Sequence, residues 1–489
     1  MDLVATNLAA CLGKMLYRSL GTGMIRLHCR MMTKPVLLWL RQDLRLSDQA
    51  ALVAAVQAGP VIPLYILDDD TPRHWAMGGA SRWWLHHSLS RLDESLRAKG
   101  SRLILRQGKS ADIIPQVAKQ AGADSIYALH HYEPWWRNAE KAVGRQLDLH
   151  LHDGGLLLPP GAVRTGGGGI YRIYTPFARA VMTHMPPPAP CPAPDDIPAP
   201  SSWPTSDSLD DWALLPTSPD WANGFSKDWT PGEAGAQANL ESFADEAPDY
   251  ATGRNLPSIE GTSRLSPHLH FGEISPATVW HRLTGSDEGT TTFLKELIWR
   301  DYAHNQIVER PDYGSANARA DFDALPWRDL RQAKRDFIAW QRGCTGYPIV
   351  DAGMRQLWAT GWMHNRVRMI AASFLIKHLL IDWRHGARWF WDTLVDASYA
   401  NNSVNWQWVA GSGVDANMFV RIMAPLVQSE KFDAAAYIRQ WVPELADLSD
   451  AHIHDPDAHG VRPQAHPAKI VGHREGRERA LAAYRDVKG

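Results

Sequence analysis

The chain has 489 residues and a formal net charge of −2 at pH 7. This length predicts two or three domains, and the near-neutral charge excludes a surface coated with positive charge, although a local basic groove needs only a few clustered cations. No apolar run approaches the about 20 residues that a membrane helix needs. We therefore expect a protein that does not span a membrane, and we place it in the cytoplasm as a monomer.

Residues 1–33 form an N-terminal extension with several Arg and Lys residues and one acid, Asp2. This composition is similar to that of a transit peptide, and translation from Met31 or Met32 is the alternative. We expect the extension to be disordered and assign it no function. The four cysteines are scattered without a CxxC pair, which indicates neither a disulfide framework nor a zinc site and fits a reducing compartment.

Residues 34–165 alternate between short apolar runs and helical patterns. Helical patterns, such as those at 81–99 and 111–120, separate four candidate strands at 36–39, 61–67, 102–105 and 125–129. This alternation predicts βαβ units and therefore an α/β domain with a Rossmann-like parallel sheet. No GxGxxG motif follows the first strand, and the glycine run at 166–169 lacks the Lys-Ser/Thr pair of a P-loop, so we interpret that run as a loop.

Two regions of different composition follow. Residues 166–233 are rich in Pro, Ser and Asp and are predicted to be an interdomain linker. Residues 234–489 are dominated by an apolar period of 3.6, seen for example in 292–308 and 347–360. This period predicts an all-α C-terminal domain.

Several polar clusters in the helical domain carry residues suited to chemistry. Glu296 and Trp299 share a helix face, so a carboxyl and an indole can line one cavity, and an amphipathic helix with a packed Trp is the alternative. The Arg-rich turn 362–369 enters an apolar helix, where its guanidinium groups need a phosphate or the Asp396 carboxylate as a partner. The turn 261–267 offers three hydroxyls and a cation, which suits either a phosphate or an ordinary helix cap.

Taken together and in this order, these clusters resemble the motifs of the photolyase/cryptochrome flavoprotein family. The resemblance covers roughly residues 34–484 and is strongest to bacterial cyclobutane pyrimidine dimer photolyases close to the plant-cryptochrome-like class. The matching segments are Trp39–Asp48 (WLRQDLRLSD), Glu260–Pro267 (EGTSRLSP), Glu296–Arg300 (ELIWR), Thr345–Asp351 (TGYPIVD), Gly361–Arg366 (GWMHNR) and Asn405–Trp408 (NWQW).

The resemblance implies an FAD cofactor inside the helical domain. Residues expected to bind it are Tyr250, Thr262, Ser263, Arg264, Leu265, Ser266, Phe293, Arg300, Asn365, Arg368, Asp396, Ala397, Ser398 and Asn402. Asn402 corresponds to the residue that faces flavin N5, and Arg368 with Asp396 to the ion pair beside the ring. Ser398 departs from the family pattern, which often has Asp there, and this puts local flavin affinity and redox tuning in doubt.

The resemblance also implies light-dependent repair of damaged DNA. Excited reduced FAD would transfer an electron to a cyclobutane pyrimidine dimer flipped out of the duplex, and the dimer would split. The residues expected to contact the substrate are Arg254, Glu296, Trp299, Asn365, Arg366, Met369 and Trp408. Glu296 and Asn402 are the expected catalytic residues, and Trp406, Trp383 and Trp327 would re-reduce oxidised flavin.

Family members often bind a second, antenna chromophore in the α/β domain. Glu133 stands where antenna contacts are often found, and Trp83 and Trp84 are candidates to flank such a pocket. The segment 351–362 favours methenyltetrahydrofolate over 8-hydroxy-deazaflavin, and an absent antenna is the alternative.

Two other activities within the family remain as alternatives. A cryptochrome photoreceptor would signal without repair. Five residues together favour repair: Glu296, Trp299, Asn365, Asn402 and Trp408. A (6-4) photoproduct lyase would place a proton-donating His where Asn365 stands, so we disfavour it. The HxH pairs at 268–270 and 452–454 are interpreted as packed or solvated histidines, and no metal is expected.

Overall fold

The computed structural model describes residues 34–416 and 419–488, so the N-terminal extension lies outside the described residues. An α/β region comes first and a helical region follows, as predicted. No helix in the described residues is long and apolar enough to cross a membrane.

Five parallel strands form one sheet in the order β3-β2-β1-β4-β5. The strands are β1 (Val36–Leu40), β2 (Val61–Leu67), β3 (Ile104–Gln107), β4 (Ser125–Leu129) and β5 (Asp148–His152). The helices between them are α1 (Ala50–Ala58), α2 (Gly79–Ala98), α3 (Ser110–Ala121) and α4 (Pro134–Val143). Every residue of β1 and β2 is buried, which is typical of central parallel strands covered by helices on both faces.

The direction of strand addition reverses beside β1, because β2 pairs with one edge of β1 and β4 with the other. Such a switch point leaves a crevice beyond the carboxyl ends of the two diverging strands, and open α/β sheets bind ligands there. The residues that follow β1 and β4, including Gln42 and Glu133, lie at this crevice.

The rest of the described chain is helical. Its helices are α5 (Tyr174–Met182), α6 (Phe225–Asp228), α7 (Glu233–Glu246), α8 (Tyr250–Gly253), α9 (Ser266–Phe271), α10 (Pro276–Arg282), α11 (Glu288–Glu309), α12 (Lys334–Gln341), α13 (Pro348–Thr360), α14 (Asn365–Ser373), α15 (Trp383–Thr393), α16 (Tyr399–Ala410), α17 (Pro425–Lys431), α18 (Ala435–Trp441), α19 (Asp450–Ile453) and α20 (His473–Lys488). One π-helical turn, Phe374–His378, continues α14.

The predicted linker, 166–233, is more than a connection. It contains α5, whose Phe177 and Val181 are buried in the core of the helical region. Phe177 packs against Tyr302 of α11, with their ring centroids 5.6 Å apart. The start of the linker therefore belongs to the helical core, which its Pro-rich composition did not indicate.

The two regions are joined by a buried carboxylate, that of Glu273, which follows α9. It accepts hydrogen bonds from the Trp84 indole in α2 (3.0 Å) and from the Gly232 amide before α7 (2.8 Å). Its other oxygen contacts His268. Because Glu273 is fully buried, these partners fix α2, α7 and α9 against one another.

Candidate cofactor and DNA-lesion site

A cavity of about 500 Å³ opens in the helical region. Its lining includes every residue predicted to bind the cofactor: Tyr250, Thr262, Ser263, Arg264, Leu265, Ser266, Phe293, Arg300, Asn365, Arg368, Asp396, Ala397, Ser398 and Asn402. The cavity also includes five of the predicted substrate residues besides Asn365, namely Arg254, Glu296, Trp299, Met369 and Trp408. Residues spread over more than 150 positions of sequence therefore meet at one site.

The hydroxyl-rich turn before α9 forms one wall of the cavity. Arg264 has a positive φ of 54°, which turns the backbone so that the Ser263 hydroxyl accepts from the Leu265 amide at 3.3 Å. The absence of a side chain at Gly261 lets this turn pack closely against Gly253, because a Cβ at position 261 would lie 2.7 Å from the Gly253 carbonyl. The Arg264 guanidinium lies 4.1 Å from the Trp362 ring centroid and so packs on an aromatic face beside the cavity.

An ion pair lies across from this turn. Arg368 of α14 donates to both carboxylate oxygens of Asp396, at 3.0 and 2.9 Å, and the Ser266 hydroxyl donates to the same carboxylate at 2.7 Å. Burial alone would raise the pKa of Asp396, but Arg368 and Ser266 outweigh that effect and hold it below its ordinary value. Asp396 is therefore an anion near neutral pH, and Arg368 is fixed at the cavity wall.

His364 caps α14 beside this pair. Burial, with the nearby Arg366 and Arg368 cations, lowers the pKa of His364 to about 3. The imidazole is therefore neutral near pH 7, which agrees with its Nδ1 accepting from the Arg366 amide at 3.2 Å.

The outer part of the cavity carries the predicted carboxyl and indole. Glu296 and Trp299 lie one turn apart on α11, and Glu296 forms an ion pair with Arg254. The Trp299 indole donates to the Asn405 side chain at 3.2 Å, and its ring lies 4.6 Å from that of Tyr174. The Glu296 side chain keeps 38% exposure, so it can still reach a group that enters from solvent.

Helix α16 forms the opposite wall. Ser398 caps it by accepting from the Asn401 amide at 3.4 Å, a bond that does not require the negative charge of an Asp. Asn402 donates to the Ala387 carbonyl at 3.0 Å, which fixes its amide at the cavity wall. Trp406, one turn further on, is buried and lines the cavity.

Three residues predicted to contact the substrate or to re-reduce the flavin lie outside the cavity lining. Arg366 packs over the Phe432 ring at 4.3 Å and donates to Asn255. Trp383 is fully buried and donates to Asn317 at 2.9 Å. Trp327 is partly buried at the edge of the helical core.

Only one of the three candidate antenna residues lines the main cavity. Trp84 is fully buried and bonded to Glu273, and Trp83 packs against Phe225 with ring centroids 5.3 Å apart. Glu133 lines the main cavity instead. Trp83 and Trp84 are core residues at the interface between the regions, and the grouping of Glu133 with them in an antenna pocket stays a prediction.

Other lining residues were not predicted. They include Gln42, His270, His304, Asn401 and Asn405. Gln42 is more than 200 residues away from the next helical segment of the site, and only the folded sheet brings it there. Tyr174, which supports Trp299, begins a helix inside the predicted linker and had no periodic signal of its own. Within the described residues no group of three or more His, Cys, Asp or Glu side chains could hold a metal ion.

The protein has an α/β region with a switch-point crevice. Its helical region has an arginine-aspartate pair and a hydroxyl-rich turn. These features define a class of two-domain proteins that bind a nucleotide cofactor. Two family models match it: DNA photolyase over residues 36–195 and the FAD binding domain of DNA photolyase over residues 293–486. The second match assigns FAD binding to the helical region.

Comparison with individual proteins agrees with these matches. Deoxyribodipyrimidine photo-lyase of Agrobacterium fabrum is 48% identical over 478 residues, which cover 93% of this chain and 98% of that protein. The protein of the same name in Escherichia coli is 38% identical over 484 residues, covering 92% of this chain and 98% of that protein. A crystal structure of a bacterial class III photolyase from Agrobacterium tumefaciens has a TM-score of 0.90 at 47% identity, covering 95% of this chain and 99% of that chain. The chain belongs to the photolyase/cryptochrome family, which confirms the resemblance drawn from its motifs.

Proposed function

We propose that this protein repairs cyclobutane pyrimidine dimers in DNA by light-driven electron transfer. The observation that carries the proposal is that Glu296, Trp299, Trp408 and Arg254 line the same cavity as the predicted cofactor residues. A carboxyl, two indoles and a cation suit a flipped-out dimer of two neighbouring bases with its adjoining phosphate.

The inner cavity suits FAD by the chemistry of its lining. Hydroxyls and backbone amides of the turn 262–266 can bind phosphate, and Arg368 adds a fixed cation. Apolar side chains, among them Phe293, Leu297 and Phe390, can pack on a flat ring. When bound and reduced, FAD supplies the single electron that light excitation makes available to a dimer.

The side chains of this chain bind and orient the substrate. Arg254 can transfer from the Glu296 carboxylate to a DNA phosphate, because an entering phosphate competes for the same guanidinium. Glu296 is then available to a donor group on the base edge of the dimer. Trp299, held by Asn405 and Tyr174, can stack on the flipped base and exclude water.

Repair of an oligonucleotide that contains a single dimer tests the proposal. Reduced protein under blue light should remove dimers, while the same mixture in the dark should not. We expect Glu296→Ala to reduce the repair yield at least tenfold, because the dimer then loses the charged side chain of the protein that accepts its hydrogen bond. Glu309→Ala, at the exposed far end of α11, is the matched control and should behave as the unaltered protein.

Two results of this experiment would contradict the proposal. Protein that holds reduced FAD and repairs nothing under light would contradict the proposal and favour the cryptochrome photoreceptor. Repair of (6-4) products instead of cyclobutane dimers would show that the substrate assignment is wrong.

We also propose that a methenyltetrahydrofolate antenna, rather than 8-hydroxy-deazaflavin, serves this protein. The support is the segment 351–362 and its likeness to folate-using members of the family. Its test is reconstitution with each chromophore, followed by the action spectrum of repair. A new maximum with the folate alone would support the proposal, and a maximum with the deazaflavin alone would overturn it.

We further propose that the protein acts on damaged DNA as a monomer in the cytoplasm. The mass of the purified protein by light scattering tests the first part, and fractionation of the source cells tests the second.

A further inference from the structure

Glu133 belongs to the α/β region but faces the cavity of the helical region. It precedes α4, after β4, and is only 4% exposed. Gln42 and Glu133 are the two lining residues that come from before residue 250 in the described chain. They follow β1 and β4, so the cavity extends to the switch point of the sheet, where open α/β sheets bind ligands.

The Glu133 carboxylate has no hydrogen-bond donor of its own. Within residues 34–416 and 419–488 neither oxygen accepts a hydrogen bond, and Oε2 is completely buried without a partner. The side chain does not cap α4 either. The positive end of that helix stabilises the charge in part, but a buried carboxylate without donors remains costly.

The nearest basic group, His304, does not supply a donor. Its Nε2 lies 3.9 Å from Glu133 Oε1. Its Nδ1 is 2.8 Å from the Arg300 carbonyl, which can only accept, so the Nδ1 atom carries the hydrogen. Burial and the Arg300 cation lower the pKa of His304 to about 4, so at neutral pH its Nε2 is also an acceptor.

Arg300 does not donate a hydrogen bond to Glu133 either. Its guanidinium donates to the Gly155 carbonyl at 2.6 Å and to the Leu269 carbonyl at 3.1 Å. Glu133 and His304 therefore present two acceptors 3.9 Å apart to a cavity, with no donor between them. The group that completes this arrangement must bring hydrogen atoms of its own.

We propose that Glu133 and His304 bind sugar hydroxyls of FAD, so that the α/β region contributes directly to cofactor binding. Vicinal hydroxyls supply two donors at a spacing that suits two neighbouring acceptors, and carboxylates recognise ribose in this manner at other α/β sheets. The hydroxyls come either from the ribose of the adenosine half or from the ribityl chain of the flavin half. The inference rests on the FAD cofactor of the proposed function.

Titration of the full-length apoprotein with FAD, followed by flavin fluorescence, tests the proposal. We expect Glu133→Gln to raise the Kd for FAD about tenfold, which corresponds to about 1.4 kcal/mol. Glu94→Gln, an exposed substitution on α2, is the control and should leave the Kd unchanged. A parallel titration with FMN separates the two sources: an effect with both ligands assigns the ribityl hydroxyls, and an effect with FAD alone assigns the ribose.

Thermal unfolding distinguishes a ligand-binding role from a structural one. Because Glu133 accepts no hydrogen bond within the described residues, its replacement should leave the Tm of the Glu133→Gln apoprotein equal to or above that of the unaltered apoprotein. The increase in Tm on adding FAD should be smaller in the variant. A lower Tm of the variant apoprotein, or a Kd within twofold of the unaltered value, would overturn the proposal.

Measuring both repair and FAD binding distinguishes failure of the proposed function from failure of this inference. If the unaltered protein binds FAD and shows the Glu133 effect but repairs no dimers, the repair proposal fails while the binding role stands. If repair proceeds and the Kd of Glu133→Gln is unchanged, only this inference fails.

Discussion

Two buried aspartates near the cavity show how partners decide the charge of a carboxyl. Asp396 has the bidentate Arg368 guanidinium, and its pKa lies below the ordinary value. The Asp301 carboxylate on α11 accepts hydrogen bonds from the Leu157 and Leu158 amides, at 3.3 and 2.9 Å, and the Arg300 cation acts on it only through its charge. Burial outweighs these bonds and raises the pKa of Asp301 to about 7.

The raised pKa of Asp301 predicts a pH-dependent stability. Between about pH 4 and pH 7 the unfolded chain has released this proton while the folded chain retains it, so the free energy of unfolding falls as pH rises through that window. Asp301→Asn cannot ionise and should lose this dependence. We expect the stability of the variant relative to the unaltered protein to increase by up to about 4 kcal/mol between pH 4 and pH 8.

Urea denaturation at several pH values measures the effect. Asp211→Asn, an exposed substitution outside the core, should show no such trend and serves as the control. A difference between variant and unaltered protein that is independent of pH would contradict the raised pKa of Asp301.

At the scale of elements, the close contact of α15 with α16 positions two residues of the cavity wall, Asn402 and Trp406. Asn402 is held by the Ala387 carbonyl, and Gly386 lies against the Trp406 ring. A Cβ at position 386 would lie 2.2 Å from Trp406 Cη2, far inside van der Waals contact. The absence of a side chain at Gly386 therefore allows Trp406 to reach the cavity wall.

This contact predicts the effect of Gly386→Ala. The added methyl group should move Trp406, lower the stability by about 1–3 kcal/mol and slow the photoreduction of bound oxidised flavin. Transient absorption of the FAD-loaded variant measures the rate, and urea denaturation measures the stability.

Two further variants sharpen the test of Gly386→Ala. The double variant with Trp406→Phe, whose smaller ring lacks Cη2, should recover stability but not photoreduction. Gly166→Ala adds a methyl group in open space and should change neither property. Unchanged photoreduction in Gly386→Ala would show that Trp406 does not depend on this contact.

Elements with a strong apolar period were predictable from the sequence, and those without one were not. The apolar pattern at 347–360 predicted α13 to within one residue of its start, although the helix is buried on nearly all sides. Strand β5, with the sequence DLHLH, was missed because it is a partly exposed edge strand with little apolar content. Helix α5 was missed because the Pro-rich stretch that follows it dominated the composition of its region.

At the scale of the whole molecule, sequence motifs predicted the residues of the helical region but not the contribution of the sheet. Family motifs placed Arg368, Asp396 and Asn402 in the cavity, and the structure agrees with each of these placements. No pattern in the sequence indicates that residues after β1 and β4 enter the same cavity. That contact follows from strand order and from how the two regions pack, neither of which a local period encodes.

Glu273 should make the two regions unfold together. Glu273→Ala would leave the Trp84 indole and the Gly232 amide buried without an acceptor. Because loss of a buried charged partner is strongly destabilising, we expect a loss of about 3–5 kcal/mol. Far-ultraviolet circular dichroism and the fluorescence of bound FAD should report a single transition, shifted to the same lower denaturant concentration.

The conservative variant Glu273→Gln, which retains one acceptor oxygen, should lose less than Glu273→Ala. Separate transitions for the two signals in Glu273→Ala would show that the regions are held together by other contacts instead.

The position of α5 limits how this architecture can be recombined. Its apolar face is buried against α11, yet in sequence it precedes the Pro-rich stretch that resembles a natural junction. A chimera of two relatives that is joined within that stretch would pair α5 of one parent with α11 of the other. The side chains at positions 177 and 302 would then come from different parents and would pack together only by chance. A junction between β5 and α5 keeps both halves of this contact from one parent, so successful exchange of modules should be found there.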